Sequence, residues 1–133
     1  MVLKEYFTDK ELNCNCGCGL LPQYESLERL YLLRLLCGFP LYINSAARCK
    51  NYNSKVGGKE GSTHLPEWDR TGFLRGKGGC GFDIRNDRKI DFQKRQIIVE
   101  KAIFCGFKGF GFADTFIHID DAKAFRVAMG PFK

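Results

Sequence analysis

The chain carries only two histidines, His64 and His118. His118 sits in "TFIHIDD", two residues before Asp120, within an apolar run. Side chains alternate across a strand, so His118, Asp120 and Phe116 share one face and Ile117 and Ile119 the other. An imidazole beside a carboxylate suits a metal site, and it equally suits an edge-strand histidine satisfied by its neighbour. His64 ends the glycine-rich stretch "GGKEGSTH", and Asp83 lies in "GFDIR" further on. Two imidazoles and one carboxylate, with a fourth position left to water, form a donor set for catalytic zinc. Such an ion polarises a carbonyl and lowers the pKa of its water to about 7. A nearby carboxylate can then take the proton.

A second chemical cluster is "NCNCGCG", which places Cys14, Cys16 and Cys18 within five residues. It reads as a redox-silent Gly/Cys turn, as a disulfide site, or as a structural zinc site with Cys49 or Cys80 as fourth ligand. Alternating spacing differs from the two-residue gap of zinc knuckles. Seven cysteines is an odd number, so a full disulfide framework leaves one over. Cys37 and Cys105 fall in apolar helical contexts and read as inert core residues.

Elements must bring these groups together. "PQYESLERLYLLRLLCGF" reads as a helix, with Pro22 in the first turn and Gly38 at the end. Leu27, Leu30, Tyr31, Leu33 and Leu36 recur at helical spacing along it. "PLYINSAAR" reads as a short strand leading into a turn, and residues 50–82 as a long loop. "GFDIR" reads as a strand, and "IDFQKRQIIVEKAIFCGF" as a second helix capped by Asp91 and closed by Gly106. "TFIHID" and "AFRVAM" read as closing strands. The predicted class is α+β, two helices packed on a small, mainly antiparallel sheet, in one domain spanning residues 1–133.

Composition narrows the class. The chain has 133 residues, 44% of them hydrophobic, with a net charge of +6. No apolar run approaches the ~18 residues of a membrane span. The opening "MVLKEYFTDKEL" lacks the apolar core of a signal peptide, so cytoplasmic synthesis is expected. Positive charge permits binding to nucleic acid, anionic lipid or anionic wall polymer. The basic residues are scattered, however, with no Lys/Arg block.

In order along the chain, "INSAARCKNYNSKVGGKEGSTH", "GCGFDI" and "FIHID" resemble the zinc D-alanyl-D-alanine peptidases of the VanY-type superfamily. That superfamily includes bacterial carboxypeptidases and phage endolysins and shares its fold with the hedgehog signalling domain. The resemblance covers roughly residues 40 to 121, and "EYFTDKEL" is similar to the start of small phage members. It implies that His64, Asp83 and His118 are the zinc ligands. It further implies that Arg48 steadies the substrate carbonyl and its oxyanion, and that Ser62 helps hold the substrate carboxylate or backbone. Eighteen residues separate His64 from Asp83, where the family usually has six. "PEWDRTGFLRGK" therefore reads as an inserted flap, with Trp68 and Phe73 available to substrate. Asp69 competes with Asp83 as a ligand by spacing, without its strand context.

Many members carry an acid or histidine two or three residues before the last ligand, where this chain has Phe116 and Thr115. The candidate bases are Asp120, favoured because it shares a strand face with His118, and Asp114. The rival role for Asp120 is a hydrogen bond to a ligand imidazole. A base at Asp120 implies an Asp120→Asn protein that keeps metal and loses rate. The function implied is a zinc metallopeptidase cleaving peptidoglycan stem peptides, as a D-Ala-D-Ala carboxypeptidase or an endolysin-type endopeptidase. It would be a monomer without nucleic-acid partners, acting on the cell wall after phage lysis or from a virion. The alternative is a zinc-containing, inactive wall- or protein-binding module of the same fold.

Overall fold

The computed structural model describes residues 6–66, 79–85, 92–122 and 125–129. Among the described residues, four helices, α1 (Asp9–Leu12), α2 (Tyr24–Cys37), α3 (Lys50–Lys55) and α4 (Phe92–Cys105), accompany five strands. The strands are β1 (Ile43–Ser45), β2 (Gly81–Arg85), β3 (Gly109–Phe112), β4 (Phe116–Asp120) and β5 (Arg126–Met129). They form one sheet in the order β1-β2-β4-β3-β5. All pairs are antiparallel except β3 and β5, which run parallel. The α+β class and the two long helices agree with the sequence reading. The reading omitted three elements: α1, α3 inside the supposed loop, and β3.

Period-two alternation sorts the sheet into two faces. Phe82 pairs with Ile119 and Ile84 with Ile117, and all four are fully buried. They join Leu27, Leu30, Leu33 and Tyr31 of α2 and Ile98 and Ala102 of α4 in one core. Truncating Ile117 to alanine, at the centre of the sheet, should cost about 2–5 kcal/mol. A urea titration of the variant measures this as a lowered midpoint at unchanged slope.

Helix ends follow local chemistry. Thr8 caps α1 in a capping box with Glu11, whose Oε2 also accepts the Ile43 N–H at 2.8 Å and ties the arm to β1. Helix α2 starts at Tyr24 behind Gln23, so Pro22 precedes the helix rather than occupying its first turn. Gly38 closes it at φ 73°, a conformation glycine adopts without penalty. Leu36, expected on the buried face, is exposed. Asp121, just past β4, accepts from Ser26 Oγ at 2.8 Å and pairs with Arg29 at 2.6 Å, which pins the end of β4 to α2. The predicted cap Asp91 and the flap residues Trp68, Asp69 and Phe73 lie outside the described residues. No described helix is long and apolar enough to cross a membrane.

Candidate metal centre

Strand register assembles the site. Asp83 of β2 lies directly opposite His118 of β4, so the two side chains share the sheet face that does not enter the core. On the other side of β4, Gly111 faces His118 and Gly109 faces Asp120. A Cβ at position 109 would collide with the Asp120 carboxylate. Gly109 of "GFGF" thus leaves room for the Asp120 side chain beside it.

His64 arrives from the turn after α3. The Thr63 carbonyl accepts the N–H groups of Cys80 and Gly81 at 2.8 and 3.1 Å, and the His64 carbonyl accepts the Arg48 N–H at 2.8 Å. A Cβ at position 81 would stand 2.5 Å from Thr63 Oγ1 and 3.0 Å from His118 Cε1, so this crossing requires glycine. The imidazoles of His64 and His118 end with ring centroids 5.2 Å apart.

The outer nitrogens of both rings are occupied. His64 Nδ1 lies 2.6 Å from the Ala46 carbonyl, which can only accept, so Nδ1 carries the proton. His118 Nε2 lies 2.8 Å from Asp120 Oδ2, which fixes a proton there in the same way. This leaves His64 Nε2 and His118 Nδ1 to face Asp83 Oδ1, at 3.2 and 2.9 Å. Two neutral imidazoles in these tautomers would thus aim two lone pairs at a carboxylate. Three acceptors meeting at one point need a cation between them. The three ligand atoms lie within 4.8 Å of one another, and their set is the His/His/carboxylate donor set that suits Zn²⁺. The outer partners on both rings complete the arrangement usual for metal-bound histidine.

In the metal-free protein a proton takes the place of the cation. Burial opposes charge on His118, but hydrogen bonds and charges from Asp120 and Asp83 outweigh it and push its pKa up to about 9. Burial likewise pushes Asp83 up, and the two histidines outweigh it, holding the carboxyl well below the usual range. A raised histidine pKa contributes stability that is complete below the unfolded value of about 6.5 and fades as pH rises through the folded one. Chelator-treated protein should therefore lose stability between about pH 6.5 and pH 9 relative to His118→Ala protein. Urea midpoints across that range check the difference, and parallel curves would contradict the proton's role.

The site opens into a cleft of about 280 Å³, bordered by Lys59, Ser62, Thr63, Phe116 and Arg126 as well as the three putting their donors forward, His64, Asp83 and His118. Ser62, expected near substrate, borders the cleft, and its hydroxyl accepts the His64 N–H at 3.2 Å. Arg48 does not border it. Its side chain is buried, with Nε donating to Ser45 Oγ at 3.1 Å and Nη1 to Asn53 Oδ1 at 3.0 Å. Nη2 lies 3.7 Å from Asp83 Oδ2, so the guanidinium stands beside a ligand carboxylate.

The two candidate bases are placed differently, Asp114 away from the cleft and Asp120 on the strand face it shares with His118. Asp114 is exposed in the β3–β4 turn and does not border the cleft. Asp120 is only 1% exposed. Its Oδ2 meets the outer nitrogen of His118, and its Oδ1 accepts the Ala122 N–H at 3.1 Å and pairs with Arg126. The geometry corresponds to the rival role, orienting a ligand imidazole. Among the described residues bordering the cleft, Asp83 and Asp120 are the only carboxylates.

Three supports escaped the sequence reading: the Ala46 carbonyl, the Thr63 hydroxyl at 3.2 Å from His118 Nε2, and Arg126. Only the position of Thr63 next to His64 could have flagged one of them.

The family model for peptidase M15 matches residues 5–120. The chain belongs to the peptidase M15 family. M15 peptidases form the zinc D-Ala-D-Ala carboxypeptidase superfamily, so the resemblance read from three short motifs extends over most of the chain. The α+β architecture with a mostly antiparallel five-stranded sheet is consistent with the M15 fold. No curated protein matches the sequence.

Proposed function

We propose that this M15 chain is a zinc-dependent hydrolase of peptidoglycan stem peptides. The observation that carries the reading is the convergence of His64 Nε2, His118 Nδ1 and an Asp83 oxygen, with both outer ring nitrogens already engaged. Zinc held there would supply Lewis-acid polarisation of a peptide carbonyl and a nucleophile at neutral pH. The chain's own residues do the rest. Asp120 and Ala46 hold the rings in register, Arg48 steadies Asp83, and Ser62 presents a hydroxyl to the substrate backbone. Lys59 and Arg126 place positive charge on the border of the cleft, which suits the carboxylate of a terminal D-amino acid. The net charge of +6 suits an anionic wall. We place the activity on the cell wall after release, in a phage-type lysis setting, with Trp68 of the inserted segment as a further substrate contact.

Incubation of the zinc-loaded protein with purified peptidoglycan, followed by mass spectrometry of the released peptides, tests the proposal. New termini next to a D-amino acid, suppressed by chelator and restored by zinc, are expected. Loss of one terminal D-Ala identifies a carboxypeptidase, and internal scission an endopeptidase. One observation favours a second reading, a wall-binding module: neither cleft carboxylate is placed as a base. Saturable wall binding with no new termini at any zinc level would establish it and overturn the hydrolase.

A further inference from the structure

The cysteines of the N-terminal arm meet a fourth thiol from far along the chain. The Sγ atoms of Cys14, Cys16, Cys18 and Cys49 all lie within 4.8 Å of one another. Cys14 and Cys16 are 3.5 Å apart, and Cys16 and Cys49 are 3.6 Å apart. A disulfide needs about 2.05 Å. Four sulfurs about 2.3 Å from one zinc ion stand about 3.8 Å from each other, close to the 3.5 and 3.6 Å of these two pairs. Cys80, the other candidate fourth ligand, is buried apart from this group.

The backbone is shaped to hold the sulfurs. Gly17 and Gly19 both sit at φ 85°, where an L side chain is strained, and they fold the alternating cysteines into a loop. The loop is closed by the Cys14 N–H on the Leu20 carbonyl at 2.9 Å and the Gly17 N–H on the Cys14 carbonyl at 3.1 Å. Two sulfurs already accept backbone N–H groups, Cys14 Sγ from Cys49 at 3.3 Å and Cys49 Sγ from Tyr52 at 3.4 Å. A turn that merely tolerates cysteine has no need for a fourth one delivered by the cap of α3.

We propose that Cys14, Cys16, Cys18 and Cys49 bind a second, structural Zn²⁺ as a closed tetrathiolate site, releasing their thiol protons to solvent. The site staples the N-terminal arm to the turn that orients the first centre. Cys49 follows Arg48, whose N–H holds the His64 carbonyl and whose guanidinium lies near Asp83, and Ala46 of the same turn holds His64 Nδ1. The inference does not depend on the peptidase reading, since a wall-binding module would need the same staple.

Metal analysis and cobalt substitution test it on the full chain. Two zinc ions per chain are expected in the wild type, one in Cys16→Ser, and one in His118→Ala. Cobalt-loaded wild type should show an intense sulfur-to-cobalt charge-transfer band in the near ultraviolet. That band should persist in His118→Ala and vanish in Cys16→Ser. The cobalt spectrum of the wild type needs no variant to fold. A wild-type protein without the band, or a Cys16–Cys49 disulfide found by mass, would overturn the proposal while leaving the histidine centre untouched.

Discussion

His118→Ala protein is expected to bind no metal at the histidine centre and to lose the proposed peptidoglycan cleavage by about a thousandfold or more. The magnitude follows from the several kcal/mol a Lewis acid contributes to a developing oxyanion, at about 1.4 kcal/mol per tenfold in rate. The substitution removes the one nitrogen that faces Asp83 from β4, leaving His64 and a carboxylate that Arg48 partly neutralises. The fold should survive, because His118 lies on the face away from the core formed by Ile117 and Ile119. Circular dichroism with zinc analysis separates loss of metal from loss of structure. A folded variant with wild-type turnover would remove His118 from the chemistry.

Asp120→Asn carries the second large effect. If Asp120 were the base, the variant would keep its metal and lose rate. The structure instead places the carboxylate on the outer nitrogen of His118, beside Arg126, with burial resisting its charge and both partners lowering its pKa. Asparagine keeps an acceptor for His118 but removes the charge that raises the basicity of the ring. Zinc affinity should therefore fall about 10–100-fold, the usual effect of losing an outer partner. At saturating zinc, kcat should recover most of its value. Competition against a chromophoric chelator and rates at several zinc concentrations distinguish the roles. Unchanged affinity with a collapsed kcat would return Asp120 to the base.

Much of this centre is legible in the sequence. Period-two alternation placed His118 and Asp120 on one face and the isoleucines in the core, because strand geometry depends only on neighbours. The donor types of His64 and Asp83 were equally plain. What remained hidden was decided by contacts distant in sequence. Strand β3 escaped because "GFGF" carries two strand-weakening glycines; the purpose of Gly109, room for Asp120, exists only once β4 is alongside. Arg48 was read as a substrate ligand from its motif position, yet Ser45, Asn53 and Asp83 surround it. Cys49 and Cys80 looked equivalent as a fourth thiol, since nothing local distinguishes a helix cap that reaches the cysteine loop from a residue entering β2. The flap residues Trp68 and Phe73 lie outside the described structure, so their expected role rests on sequence.

The most direct measurement is a crystal structure of zinc-loaded protein with anomalous scattering recorded at the zinc edge. The expected result is a peak about 2.0–2.2 Å from His64 Nε2, His118 Nδ1 and an Asp83 oxygen, with Asp120 still on His118 Nε2. A peak bound through other atoms, or zinc at the cysteines with none between the two imidazoles, would contradict the metal centre on which the proposed chemistry depends.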